Sequence, residues 1–114
     1  MDDFERKSAL LQDRASSAQA LAAQAYNRLL TLAETQDSGQ IRRVAQFIAS
    51  TYDGQTFLYD LFDLRALDIE ISDDMLVCLD ALRWGKADLY KLVPDGERRV
   101  REICAAWRFT WPEA

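Results

Sequence analysis

Residues 53–84 read DGQTFLYDLFDLRALDIEISDDMLVCLDALRW. Eight of the nineteen acidic residues fall here (Asp53, Asp60, Asp63, Asp68, Glu70, Asp73, Asp74 and Asp80), against two bases, Arg65 and Arg83. The acids alternate with large apolar side chains, among them Phe57, Leu58, Leu61, Phe62, Leu64, Leu67, Met75, Leu76, Leu79 and Leu82. So apolar a stretch is expected to be core. Its carboxylates must then face water or a partner, because a buried unpaired charge is too costly. Ile69 and Ile71 flank Glu70 and hint at a strand. No other segment has a matching two-residue period to pair with it, so the strand is discounted. Helices remain: a short one capped by Asp60 or Asp63 and ending at Leu67, then one capped by Asp68 or Ser72 and ending at Trp84 before Gly85. Asp73 and Asp74 then lie in its first turn, where the helix dipole favours negative charge.

Toward the C-terminus, Ala87–Leu92 is expected to form a further turn capped by Asp88. Pro94-Asp95-Gly96 opens a last helix, Glu97 to about Phe109, with Val100, Ile103, Cys104 and Trp107 inward. Arg98, Arg101 and Arg108, spaced by three and seven, are expected on one outer face with Ala105 between them. The tail Phe109-Thr110-Trp111-Pro112 is aromatic, and packing over the core is expected.

Toward the N-terminus, residues 3–34 read as one long helix. Phe4, Leu11, Ala15, Ala18, Ala22, Ala25, Leu29 and Leu32 recur at steps of three and four, interrupted only where Ser8 takes the position. This is the seam of a coiled coil or helical hairpin. From Leu21 onward a second row, Leu21, Tyr26, Leu30 and Ala33, widens the buried face. The first half has little besides the seam, so residues 1–20 are expected to project, to pair with a second copy or to pack back on their own chain. Glu34–Gly39 is a break rich in turn formers. Asp37 and Gln40 resemble a capping box opening a helix over 40–52, with Ile41, Val44, Ala45, Phe47, Ile48 and Tyr52 inward and Arg42 and Arg43 outward. Asp53-Gly54 closes it, with Gly54 suited to a left-handed cap.

The expected fold is therefore all-α, a single-domain helical bundle of four to six helices over 1–114, with a long N-terminal helix and 110–114 as a short tail. At 114 residues, 49% hydrophobic and 29% charged, the chain can bury a real core without staples. Cys78 and Cys104, each on an apolar helix face, are expected to be reduced core thiols. The chain has no histidine, which removes His-based acid/base and nucleophile systems and His-ligated zinc. No apolar run approaches the roughly 20 residues that cross a bilayer. MDDFERKSALL lacks the order of a signal peptide. A cytoplasmic protein with no membrane partner is expected.

Ser38-Gly39-Gln40-Ile41-Arg42-Arg43-Val44-Ala45-Gln46-Phe47, Phe62-Asp63-Leu64-Arg65-Ala66-Leu67-Asp68, Asp73-Asp74-Met75-Leu76 and Pro94-Asp95-Gly96-Glu97-Arg98-Arg99 carry a resemblance. Over about 29–107 the chain resembles a small family of bacterial proteins without established function. They are carried mainly on plasmids, integrative elements and prophages of proteobacteria. The resemblance implies an accessory protein of a mobile element.

No enzyme is expected, nor any cofactor or metal. Asp60, Asp63, Asp68 and Asp73 could only serve as oxygen ligands for Mg²⁺ or Mn²⁺, and their spacing fits no established loop. The net charge of −5 disfavours free nucleic acid. The acids Asp60, Asp63, Asp68, Asp73 and Asp74 on an apolar scaffold suit docking to a basic protein surface, since complementary charge speeds encounter and fixes orientation. The expected function is non-enzymatic protein binding. In its sharpest form, the protein inhibits a host nucleic-acid-binding defence complex, as small acidic anti-CRISPR proteins do. One alternative is an adaptor of the element's own machinery, a homodimer through the first helix. Another is nucleic-acid binding through Arg42 and Arg43 or the face of Arg98, Arg101 and Arg108.

Overall fold

The computed structural model describes residues 2–111. They form α1 (Asp3–Thr35), α2 (Gly39–Tyr52), α3 (Ile69–Arg83) and α4 (Gly96–Ala106), with short 3-10 helices at Leu61–Ala66 and Leu89–Leu92. No strand occurs among the described residues. The fold is the expected all-α bundle with a long first helix.

The length of α1 follows from its local chemistry. Asp2 caps it by accepting a hydrogen bond from the Glu5 amide at 2.8 Å, and Asp3 and Glu5 complement the dipole in the first turn. Thirty-three residues span about 50 Å, close to the 53 Å long dimension of the molecule. Ala15, Ala18, Ala22, Ala25 and Leu29 are buried, and Tyr26, Leu30 and Ala33 widen the face as expected. Leu21 does not join them; it is 57% exposed. The small seam residues let α3 pack closely. The two helices run antiparallel: Asp74 meets Arg28, and Trp84 meets Arg14. Because α3 ends at that level, the part of α1 before Ala15 has no buried residue and projects.

The start of α2 differs from the capping box. Ser38, not Asp37, is the cap, its Oγ accepting from the Ile41 amide at 3.2 Å. Gln40 instead holds the entry to α3, its side chain accepting from the Asp68 amide and donating to the Asp68 carboxylate. Gly54 is not left-handed. Asp53 closes α2 by accepting from the Thr56 amide and hydroxyl, which holds its carboxyl below the usual carboxylate range.

With Asp68 at its cap position, α3 starts a turn earlier than Ser72 would allow. Glu70 occupies the first turn, and Asp73 and Asp74 fall in the second. Entry to α4 passes through Asp95, which is left-handed with φ 56°. Gly96 follows because a Cβ there would overlap the Tyr90 carbonyl oxygen and lie 2.7 Å from its carbon. The helix stops at Ala106, short of Phe109, in a Schellman motif. The Phe109 amide donates to the Cys104 carbonyl at 2.8 Å and the Arg108 amide to that of Ala105 at 3.1 Å.

One core joins all four α-helices with Leu67, Leu89 and Val93. Tyr26 is enclosed in it, its hydroxyl 2.8 Å from Thr51 Oγ1. Cys78 and Cys104 are buried free thiols, as expected. The tail packs: Trp111 sits edge-on to Phe57 at 4.8 Å and to Tyr52 at 6.0 Å. Pro112 lies outside the described residues.

Candidate functional site

The segment between α2 and α3 is held at both ends. Phe57 lies against Trp111 and Phe109. Tyr59 packs edge-on to Phe47 with ring centroids 5.6 Å apart; burial, and then the charge of Asp63, push its phenol upward. Arg43 reaches Asp63 at 3.5 Å. Leu67 is buried, and Gln40 clasps Asp68.

Between these anchors Asp60 caps the 3-10 helix, accepting from the Phe62 amide at 3.0 Å. Side chains three apart nearly eclipse in a 3-10 helix, so few positions can point inward. Leu64 is half-buried, and none of the six residues is fully buried. Leu58, Leu61, Phe62 and Ile69 stand 68–82% exposed. The Arg65 guanidinium lies over the Phe62 ring at 5.5 Å. This corrects the expectation that the whole stretch is core: Leu58, Leu61 and Phe62, with Leu76 and Leu82 on α3, face outward.

The five acids singled out in the sequence do not act together. Asp74 forms a two-pronged pair with Arg28, at 2.8 and 3.0 Å. Asp63 is engaged by Arg43 and Asp68 by Gln40. Asp60 is exposed while capping, and Asp73 and Glu70 are exposed with no side-chain hydrogen bond or ion pair among the described residues. No group of three carboxylates or thiols among the described residues converges as metal ligands would.

The arginine face is also rearranged. Arg98 is bound by Asp95 and Glu102, both at 3.1 Å. Arg101 is 3.5 Å from Glu97 and lies over the rings of Tyr52 and Trp111. Arg108 is beyond the helix, in the left-handed position after the Trp107 C-cap at φ 64°, so it does not continue their row. Arg42 is stacked on Phe109 at 5.1 Å. Each of these bases except Arg108 is therefore engaged within the molecule.

No helix among the described residues is long and apolar enough to cross a membrane. Residues 23–108 match a family of unknown function (DUF7673), and the chain belongs to that family. No curated protein and no solved structure matches it.

Proposed function

We propose that this member of the family is a non-enzymatic protein-binding module whose docking surface is the Leu58–Ile69 segment. The observation that carries the reading is the exposure of Leu58, Leu61, Phe62 and Ile69 on a segment fixed at both ends. Large apolar side chains on a rigid support bury area on binding with little ordering cost. The carboxylates of Asp60, Glu70 and Asp73 are exposed in the same part of the chain. A partner with an apolar patch rimmed by Lys or Arg fits this chemistry. The finer form of the proposal is an accessory protein of a bacterial mobile element that blocks a basic, nucleic-acid-binding defence complex in the cytoplasm. The acidic surplus of residues 53–84 and the resemblance to mobile-element proteins support that form.

The test is capture of partners from bacterial lysate, identified by mass spectrometry, at low and high salt. Wild type is compared with Leu61→Ser/Phe62→Ser and with Asp60→Lys/Asp73→Lys. Loss of a captured complex in both variants, with helicity unchanged, supports the proposal. Capture unaffected by Leu61→Ser/Phe62→Ser overturns it. Capture unaffected by Asp60→Lys/Asp73→Lys and by salt removes the basic partner.

A further inference from the structure

We infer that two copies of this chain associate through the projecting first third of α1, antiparallel, each inserting Phe4 toward the groove of the other beside Trp84. The occupant is a second copy because the unpartnered face continues an interface the molecule already uses. Residues 15, 18, 22, 25 and 29 bury the α1 seam within one protomer. The same steps of four and three continue backward through Leu11, Ser8 and Phe4. That is a heptad seam with about its first third uncovered. α3 ends level with Arg14, and no residue from 3 to 14 is buried. Phe4 is 80% exposed.

The pairing direction follows from the seam and from where α3 ends. With a two-fold axis between Ala9 and Leu10, Ser8 of one copy faces Leu11 of the other, twice. Phe4 comes level with Ala15, where a groove has an apolar wall of Leu10, Ala18, Leu21 and Trp84 and a polar one that includes Asp13 and Asp80. This explains why Leu10 and Leu21, both largely exposed, flank that groove. Such a contact is isologous and closes at two copies. Glu5 is brought level with Arg14 of the second copy, while Asp3 pairs with Arg6 of its own helix at 3.0 Å. Arg14 stacks on its own Trp84 at 5.4 Å but forms no ion pair among the described residues. A parallel pair would run the second α1 into α3, which already covers the seam from Ala15 onward.

The measurement is sedimentation velocity across a concentration series, with orientation read by disulfide trapping. Wild type is expected to approach twice the 13.1 kDa protomer mass. Phe4→Asp/Leu11→Asp is expected to remain a monomer with unchanged helicity and melting, since neither side chain touches the core. Chains carrying Ser8→Cys are expected to cross-link to chains carrying Leu11→Cys, and chains carrying Asp3→Cys are not expected to cross-link to each other. A monomeric wild type, a dimer that survives Phe4→Asp/Leu11→Asp, or cross-linking of Asp3→Cys chains to each other would overturn the inference. These outcomes are independent of the Leu58–Ile69 surface, whose variants leave α1 intact.

Discussion

Arg99 of α4 grips Glu34 at the end of α1 with both arms of its guanidinium, Nη2 2.6 Å from Oε1 and Nε 2.9 Å from Oε2. Nη1 also donates to Asn27 Oδ1 at 2.6 Å. The side chain is only 15% exposed, so the pair is better shielded than the surface ion pairs elsewhere on α4. A planar fork suits this geometry and an ammonium does not. Arg99→Lys is expected to lower stability by about 1 kcal/mol and Arg99→Ala by about 2 kcal/mol. Denaturant titration of the three proteins checks this; equal stabilities would show the clamp to be idle.

Gly96 and Gly39 should respond in opposite ways to the same change. At Gly96 a Cβ would run into the Tyr90 carbonyl, and backbone cannot yield cheaply. Gly96→Ala is expected to cost about 3 kcal/mol by overpacking. At Gly39, in the first turn of α2, nothing lies within 4 Å. Gly39→Ala is expected to be neutral or to stabilise by up to about 1 kcal/mol through the unfolded chain. Thermal melts of both variants decide the pair.

Arg108 occupies the left-handed position that ends α4 in its Schellman motif. An L-residue with a side chain pays a steric cost there that glycine avoids. Arg108→Gly is therefore expected to raise stability by about 1 kcal/mol, while Ala105→Gly inside the same helix should lower it by a similar amount. A loss of stability in Arg108→Gly would mean that its side chain has a partner that outweighs the strain.

Alkaline pH should unfold the protein through buried groups, chiefly Cys78 and Tyr26, with burial raising the Cys104 thiol as well. Burial, reinforced by the charge of Asp74, pushes the Cys78 thiol from 9.0 up to about 12. Burial also raises the Tyr26 phenol. In both, the folded state holds its proton to a higher pH than the unfolded chain. The Cys78 contribution is complete below pH 9 and is lost as pH rises toward 12, at about 1 kcal/mol per pH unit; that of Tyr26 is lost at higher pH. Denaturant midpoints measured stepwise above neutral pH should stay flat and then fall. Cys78→Ser should soften the fall. In acid the sign reverses: Glu97, held low by the Tyr52 hydroxyl, and Asp53, held low by Thr56, lose their contribution as pH drops through their lowered values.

The sequence by itself determined the elements. The three-and-four spacing from Ala15 to Leu29, the inward row of Ile41, Val44, Phe47 and Ile48, and the breaks at 34–39 and at Gly85 are local patterns, and each appears at the position its residues indicate. The two thiols in the core follow from the same apolar periodicity, and the packed tail from its aromatic content. The direction of side chains outside the long helices was decided only by tertiary structure. In the 3-10 segment, apolar content could not separate core from surface, because pinning by Arg43, Gln40 and Trp111 fixes which residues turn outward. The acids show the same limit. Asp74 and Asp73 are neighbours in sequence, yet one is clasped by Arg28 from forty-six residues away and the other faces water. Long-range ion pairing depends on how α1 and α3 pack, and packing is a property of the whole core.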